Sequence, residues 1–325
     1  MMKKILLCLV IGINIFFAQT QKIAITGVWP VPSVVLYFSH NNQIIFMPQS
    51  AKNALINSLA VEFYPKIRQI KASNDQNLEE LLALNADIYI CHKTNFKLCE
   101  ALKKAGVNLI ELETNKENYN SKEVLRHWLK ELEYKINLNE KSSKLIDEIT
   151  LVEKQIKDKT KDVKKPTAVI VFTYQDGKIR LGGLFADYLL EKSGAVNAYK
   201  SISNGDGGIN IEELYRLNPD IIYISNFTQA QPQDFFKEPK FNKIKAIQNK
   251  AVYKLPLGTY RPFAPNLDLS VVLKFLASKN HPKLFGKIDI KEEFKRHFKE
   301  FYGLDLNEEQ LAKILNPSSK AGNLK

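Results

Sequence analysis

Short apolar runs alternate with amphipathic segments along most of the chain, in the order expected of β-strands and α-helices. Apolar runs of four to six residues that end at Gly, Pro or Asn indicate buried strands, and apolar residues three or four apart indicate helices. The predicted strands are 22–26, 44–47, 87–90, 107–112, 168–172, 221–225 and 251–255. The predicted helices are 51–60, 96–105, 140–162, 184–193, 211–217 and 267–278, with two short ones in 291–314. This alternation favours βα units built around parallel sheets.

One piece of the pattern occurs twice, at residues 77–90 and again at residues 210–223. The two copies are 133 residues apart and are identical at 8 of 14 positions, including Glu79/Glu212 and Asp87/Asp220. In each copy a short helix that starts with acidic residues leads into an Asn-x-Asp turn and a hydrophobic strand. A solenoid would repeat every 20–50 residues or so, whereas one distant recurrence predicts two lobes of similar construction.

A long helix is predicted between the two halves, because residues 121–162 contain neither proline nor glycine. About 20 helical residues span roughly 30 Å, which is enough to connect two lobes, although an ordinary surface helix has the same pattern. We therefore predict an α/β fold with two parallel-sheet lobes, one long connecting helix and a ligand cleft between the lobes. The predicted boundaries are 19–138 for the first lobe, 139–163 for the connecting helix and 164–325 for the second lobe.

The first 18 residues resemble a secretory signal peptide, with Lys3 and Lys4 ahead of an apolar run over 5–17. The run is shorter than the roughly 20 residues of a membrane-spanning helix. We expect cleavage near Ala18 and a soluble periplasmic protein. The mature chain then retains Cys91 and Cys99, which either form a disulfide or remain two buried free thiols.

The chain is basic, with 47 Lys and Arg against 35 Asp and Glu and a formal charge of +12. The lysines are scattered over amphipathic helices, and no run of arginines alternates with aromatic residues, so we expect no nucleic-acid partner. The nucleophile-elbow, phosphate-loop and metalloprotease signatures are all missing from the sequence. We therefore predict no catalytic residues and no enzymatic activity.

The candidate ligand site follows from the fold, because open parallel sheets bind ligands beyond the carboxyl ends of their strands. Asn226, Phe227 and Phe263 are also predicted near those ends. The residues chosen as ligand-binding are aromatic or basic: Trp29, His92, Tyr174, Arg180, Tyr260 and Arg261. Such a set suits a flat anionic or metal-chelating ligand, since arginine pairs with carboxylate or catecholate oxygens and His92 can reach a metal.

Structural roles are the alternative for several of these residues. Trp29 and Phe263 would also fit packing between lobes, His92 would also fit a hydrogen bond to its own turn, and Arg261 would also fit an ion pair with Asp206 or another acid. The remaining histidines lack the spacing of zinc ligands and are interpreted as surface or capping residues. They are His40, His127, His281 and His297.

Several motifs resemble one family of exported proteins. They are Tyr64-Pro65-Lys66-Ile67, the 77–87 segment, Ala105-Gly106-Val107, 193–198, 211–214 with 218–220, 249–256, and Phe301-Tyr302 with Glu309-Gln310. In this order they are similar to the periplasmic solute-binding proteins of ABC importers for ferric siderophores, haem and vitamin B12. The resemblance covers nearly the whole mature chain.

The resemblance implies a receptor without a resident cofactor whose cargo is a small metal chelate. A ferric siderophore carrying Fe(III) is the first expectation, and haem, cobalamin or a nickel complex are the alternatives. It also implies that Glu79 and Glu212 stand where this family docks onto arginine pockets of the permease. The expected partners are an ABC permease and its ATPase, with the receptor itself a monomer. An exported metallochaperone or enzyme on the same scaffold is the alternative from another class.

Overall fold

The computed structural model describes residues 20–27, 30–39, 42–74, 77–136, 138, 141–175, 177–199 and 207–324. The predicted signal peptide, Trp29, His40 and Asp206 lie outside these ranges, so the expectations about them remain predictions.

The first lobe is built on a parallel sheet. Its strands are β1 Gln21–Thr26, β2 Asn42–Met47, β3 Lys71–Ala72, β4 Ile88–His92 and β5 Leu109–Leu112. Its helices are α1 Val31–Phe38, α2 Gln49–Ile56, α3 Ala60–Phe63, α4 Leu78–Leu82, α5 Phe96–Lys104 and α6 Ser121–Lys135, with 3₁₀ turns at Pro65–Gln69 and Lys116–Tyr119. The strand order is β3-β2-β1-β4-β5. All carboxyl ends therefore meet at one edge, and the order reverses between β1 and β4.

The helix α7, Lys141–Thr160, follows the first lobe where the sequence predicted the connecting helix. The apolar residues that predicted it are all buried: Leu145, Ile146, Ile149, Val152 and Ile156. Burying each such side chain stabilises the fold by about 1.5–3 kcal/mol. The helix is therefore held by its apolar face against the rest of the protein.

The second lobe repeats the alternation of strands and helices. Its strands are β6 Thr167–Gln175, β7 Lys178–Leu181, β8 Val196–Asn197, β9 Gly207–Ile209, β10 Ile221–Ile224 and β11 Val252–Lys254. Its helices are α8 Leu184–Lys192, α9 Ile211–Leu217, α10 Pro232–Lys237, α11 Lys245–Gln248, α12 Leu269–Asn280, α13 Pro282–Phe285, α14 Ile290–His297 and α15 Glu308–Leu315, with a 3₁₀ turn at Pro239–Phe241 and a π-helical turn at Phe298–Tyr302. The strand order is β11-β10-β6-β7-β9, and β8 also pairs with β6.

The prediction of two α/β lobes is confirmed, but the second sheet is mixed and not purely parallel. Strand β6 runs past the predicted end at 172, and β7 returns antiparallel to it with Gln175 opposite Lys178. The two residues between them are Asp-Gly, the commonest sequence for a tight hairpin, and Gly177 has a φ of +73°. Strand β9 then pairs antiparallel with β7, with Gly207 opposite Leu181.

The repeated aspartates explain part of the sequence recurrence. The Asp87 carboxylate accepts a hydrogen bond from the Lys22 backbone N–H at 2.7 Å. The Asp220 carboxylate accepts one from the Thr167 backbone N–H at 2.9 Å, and a second from the Thr167 hydroxyl. Each aspartate therefore joins the repeated strand to the first strand of its own lobe.

The repeated asparagines bound the helix of each copy. At its start, Asn77 accepts from the Glu79 N–H and Asn210 accepts from the Glu213 N–H, as N-cap residues do. Beyond its end, Asn85 and Asn218 adopt left-handed φ values of 48° and 38°, which asparagine tolerates better than most residues. The recurrence therefore reflects the same local requirements in both lobes.

One hydrophobic core runs through both lobes. It contains residues of β1, α1 and α6 together with residues of α7, α12 and the final helices. The ring of Tyr37 in α1 lies 4.8 Å from that of Tyr302, and Lys313 in α15 pairs with Glu62 at 2.9 Å. The final helices therefore pack against the first lobe as well as the second.

Two of the histidines interpreted as surface or capping residues are buried, and one of them, His281, is the C-cap residue of α12. The ring of His281 bonds the Gly194 carbonyl at 2.8 Å. The ring of His297 is fully buried beside Asp268 and Tyr302, with Nε2 3.0 Å from the Tyr302 hydroxyl. Sequence spacing did not reveal these partners because they come from distant elements.

Candidate functional site

In the first lobe, the carboxyl ends of β1 and β4 meet at the point where the strand order reverses, which is where open α/β sheets bind ligands. Gly27 follows β1 and His92 ends β4. A Cβ at Gly27 would lie 3.6 Å from the His92 Cβ, so the loop that leads on to Trp29 starts directly beside this histidine.

The His92 ring is largely buried, and both of its nitrogens have partners. Nδ1 accepts the Thr94 backbone N–H at 3.2 Å and lies 2.5 Å from the Thr94 hydroxyl. The proton therefore sits on Nε2, which donates to the Thr114 hydroxyl at 3.2 Å. Burial lowers the pKa of His92, against the raising effect of Glu113, so the neutral ring predominates at neutral pH. The ring bonds its own turn, and a metal at Nδ1 would have to displace Thr94.

The residue before His92 is bonded covalently to the next helix. Cys91 and Cys99 form a disulfide with Cα atoms 5.9 Å apart, inside the usual range of roughly 4.4–6.8 Å. The structure therefore selects the disulfide from the two alternatives that the sequence left open. The bond joins the carboxyl end of β4 to α5 and limits how far His92 can move.

In the second lobe, Arg261 is 1% exposed and lies in the loop after β11. Its guanidinium carbon is 3.7 Å from the centroid of the Phe227 ring, a cation–π contact. Its Nη2 donates to the Tyr260 hydroxyl at 2.6 Å. Burial raises the pKa of Tyr260, against the lowering effect of Arg261, so Tyr260 is a neutral phenol.

The remaining donors of Arg261 are the most unusual feature of this lobe. Its Nε and Nη1 have no hydrogen-bond partner among the described residues, and neither does the buried Asn226 Oδ1. A cavity of about 140 Å³ lies beside them. It is lined by Asn226, Phe227, Thr228, Gln229, Arg261, Ser319, Asn323 and Leu324. A buried donor without a partner costs about 1–3 kcal/mol, and an anionic group in this cavity would recover that free energy.

Tyr174 and Arg180 lie within strands, not in the loop where the sequence placed them. Tyr174 pairs with Ile179, and Arg180 pairs with Thr173. Neighbouring residues of a strand point to opposite faces, so Tyr174 shares the face of buried Ile179, where its ring is 5.1 Å from that of Phe235. Arg180 lies on the other face. The structure therefore does not bring these two side chains together.

The residues predicted to bind the ligand therefore lie in separate places in the structure. Tyr260 and Arg261 are in direct contact, and His92 lies at the strand edge of the other lobe. Phe263 packs inside the second lobe, with its ring 5.5 Å from that of Phe172. Asn226 and Phe227 belong beside Arg261, and their position directly after β10 was the signal for including them. The residues that line the cavity from 319 to 324 gave no signal, because nothing local shows that this segment returns to the site.

Glu79 and Glu212 occupy equivalent places on the two lobes. Each is exposed in the first turn of a short helix, α4 or α9. The neighbouring Glu213 pairs with Arg216 at 2.6 Å. Exposure and equivalence fit a docking surface, and the docking role itself remains a prediction.

A protein family described as periplasmic binding protein matches residues 32–257. The chain belongs to this family. The resemblance noted in the sequence is thereby confirmed at the level of the family.

Solved structures show the same fold. A periplasmic solute-binding protein from Veillonella parvula is 23% identical, with a TM-score of 0.80 over 93% of each chain. Helicobacter pylori CeuE with Ni(II) bound is 26% identical, with a TM-score of 0.67 over 92% of this chain and 95% of that one. Haemophilus influenzae MolA bound to molybdate is 17% identical, with a TM-score of 0.70 over 89% and 94%. No protein of curated function matches the sequence.

The described residues contain neither a cluster of metal ligands nor a membrane-spanning helix. No group of three or more His, Cys, Asp and Glu side chains there is arranged to hold a metal ion. No helix in the same part of the chain is long and apolar enough to cross a membrane.

Proposed function

We propose that this periplasmic binding protein captures an anionic metal chelate, in first place a ferric siderophore, and delivers it to an ABC permease. The observation that carries the proposal is Arg261, a buried guanidinium with two unpartnered donors beside a cavity. Catecholate and hydroxamate oxygens of such a chelate are suitable acceptors for an arginine fork. Phe227 contacts the guanidinium through its ring, and Nε and Nη1, which have no partner among the described residues, are available to the cargo.

The first lobe would contribute His92 and Trp29. Trp29 is proposed to stack on the cargo, and His92 to line the cleft or bind the metal where the chelate leaves a position open. Tyr174 and Arg180 stay in the proposed set, although they lie on opposite faces of one hairpin. Tyr260 is proposed to act through Arg261, since its hydroxyl holds one edge of the guanidinium.

A nickel complex is the second candidate cargo, and one observation favours it. CeuE of Helicobacter pylori, 26% identical to this chain, has been solved with Ni(II) and as a nickel–histidine complex. A nickel ion with an open position would need an imidazole such as His92, and binding at Nδ1 would compete with the Thr94 N–H. Haem and cobalamin remain further alternatives, and an exported metallochaperone or enzyme is the alternative from another class.

The proposed partners are an ABC permease and its ATPase, reached through Glu79 and Glu212, with the receptor acting as a monomer. An exposed carboxylate on each lobe suits a pair of basic pockets on the permease. Equivalent placement on the two lobes would let one permease sense both lobes at once.

The test of the cargo class is a fluorescence titration of Arg261→Gln against an iron(III) tris-catecholate, which is anionic, and against cobalamin, which is neutral. The Trp128→Phe background leaves Trp29 as the reporter. A charge-assisted contact contributes about 1.5–3 kcal/mol, so the affinity for the tris-catecholate should fall roughly 10-fold to 150-fold while that for cobalamin is unchanged.

The matched control is Arg216→Gln, because Arg216 is exposed and pairs only locally with Glu213. It should leave both affinities as they are. Equal binding of anionic chelates by wild type and Arg261→Gln would contradict the proposal and point to a neutral cargo.

A further inference from the structure

Residues 317–324, which we call the strap, cross from the second lobe to the first. The Asn53 side-chain amide donates to the Leu324 carbonyl at 2.9 Å, and the Asn57 amide donates to the Asn323 carbonyl at 3.0 Å. The Gly322 N–H donates to the Asn57 carbonyl at 2.8 Å. The strap is therefore fastened to α2 of the first lobe by three hydrogen bonds, two of which use side chains that substitution can remove.

On the second lobe the strap lies directly on Arg261. A Cβ at Gly322 would be only 2.9 Å from the Arg261 Cγ and 3.5 Å from the Asn226 Cβ. Gly322 also has a φ of +74°, a conformation that glycine adopts without strain. Glycine at this position lets the backbone of the strap cover the arginine stem.

The strap lines two cavities. Ser319, Asn323 and Leu324 line the cavity of about 140 Å³ at Arg261. Ser318 and Ala321 line an inter-lobe cleft of about 560 Å³ formed by α2, α3 and α15. The strap therefore contributes residues to both cavities.

We propose that the strap is a movable partition that covers Arg261 and must swing away before cargo reaches it. A cavity of about 140 Å³ is smaller than the roughly 300–1,000 Å³ of pockets for drug-sized ligands. Displacing the strap would join this cavity to the inter-lobe cleft and bring the arginine fork within reach of a chelate. The part played by cargo rests on the function proposed above, whereas the covering of Arg261 does not.

The cover is tested without any cargo, by labelling with phenylglyoxal, a dicarbonyl reagent selective for arginine, and mapping the product by mass spectrometry. Two variants release the strap: deletion of residues 317–325, and the double substitution Asn53→Ala/Asn57→Ala. Each lost hydrogen bond should raise the fraction of molecules with a displaced strap by a factor of about 2–12. The double variant should therefore label at Arg261 roughly 5-fold to 150-fold faster than wild type, and the deletion at least as fast.

Arg216 is the internal control, because its side chain is 71% exposed and far from the strap in the sequence. Its labelling rate should be the same in all three proteins. A faster rate at Arg216 as well would mean that the change in labelling is not specific to Arg261 and would overturn the interpretation of that variant. An unchanged rate at Arg261 in both variants would overturn the partition itself.

The role in capture is tested by stopped-flow binding of the iron(III) tris-catecholate. Both variants should associate faster than wild type, and a synthetic peptide with the sequence of residues 317–325 should slow association to the deletion variant. If Arg261 is labelled faster but the tris-catecholate does not associate faster, the strap covers Arg261 but does not control access of the cargo, and the gating role is overturned. The proposed function is tested separately, by the affinity of the Arg261→Gln variant for the chelate. Failure of the proposed function and failure of the partition therefore give different results.

Discussion

Among single residues, Arg261 is the one whose unsatisfied hydrogen-bond donors point most directly to a ligand. A buried guanidinium without an acidic partner costs free energy unless every donor is bonded, yet only Nη2 is bonded here among the described residues. Phe227 compensates part of this cost through the cation–π contact. The remaining donors need an acceptor that the described part of the protein does not supply, which is why we assign this residue to the cargo.

His92 makes a prediction about pH. Because burial lowers its pKa, the unfolded chain, in which a histidine titrates near 6.5, takes up this proton first as the pH falls. The stability that neutral His92 contributes is therefore present above about pH 6.5 and is lost as the pH falls through the window below it. We expect the free energy of unfolding, measured in urea between pH 7.5 and 5, to fall less in His92→Asn than in wild type.

The wild-type protein, measured in urea over the same pH range, is the reference for this experiment. A His92→Asn protein whose stability falls as steeply as that of wild type would contradict a neutral, buried imidazole at this position.

At the scale of elements, the repeated unit was predictable because its determinants are local. An Asn N-cap, a left-handed Asn after the helix and an Asp that bonds the neighbouring strand all leave a mark within 14 residues. The hairpin of β6 and β7 was missed, although its Asp-Gly turn was a local signal too. The register of this hairpin places Tyr174 and Arg180 on opposite faces of the sheet. Because the sequence analysis did not predict the hairpin, it grouped two side chains that the fold keeps apart.

The strap, unlike the repeated unit, could not be predicted from the sequence, because its contacts are not local. Its contacts with Asn53 and Asn57 join residues more than 260 positions apart. Nothing in the composition of the strap indicates that it returns to α2. The Arg261 side chain could be placed near a strand end from the sequence, but its cover could not. Long-range contacts to the backbone produce no periodic pattern of hydrophobic and polar residues from which they could be predicted.

The equivalence of α4 and α9 predicts how the receptor docks. Glu79→Lys/Glu212→Lys should abolish uptake through the cognate permease while leaving chelate affinity unchanged, because both side chains are exposed and lie outside the cavity at Arg261. Uptake of iron-labelled chelate by cells and titration of the purified protein measure the two effects. Lost affinity in the purified variant would refute the docking assignment.

The matched control uses the next residue in each copy of the repeat. Glu80→Lys/Glu213→Lys makes the same change of charge on the same helices, and it breaks only the local pair of Glu213 with Arg216. Uptake should survive in this variant. Equal loss of uptake in both pairs would mean that overall charge, and not the two positions, decides docking.

At the scale of the whole molecule, the two lobes share one core and meet on α7. Glu153 of α7 accepts hydrogen bonds from Lys122 of the first lobe at 2.6 Å and from Tyr188 of the second at 2.5 Å. Burial raises the pKa of Tyr188 well above its usual range, and the Glu153 carboxylate adds to the effect. One carboxylate on the connecting helix therefore holds side chains from both lobes.

This arrangement predicts that the lobes unfold together. In Trp29→Phe, the remaining Trp128 is buried in α6 and reports on the first lobe, whereas far-UV circular dichroism reports on both. The two thermal transitions should coincide, as expected for one cooperative unit. Glu153→Ala removes the acceptor of the Tyr188 hydroxyl and the nearer of the two carboxylates at Lys122, which keeps Glu123 at 3.8 Å. It should cost about 1–3 kcal/mol, whereas Lys154→Ala, which removes an exposed pair with Asp158, should change stability by less than about 0.5 kcal/mol. Two separate midpoints in the Trp29→Phe protein would show that the shared core does not couple the lobes, and the receptor would then close by independent motion of two bodies.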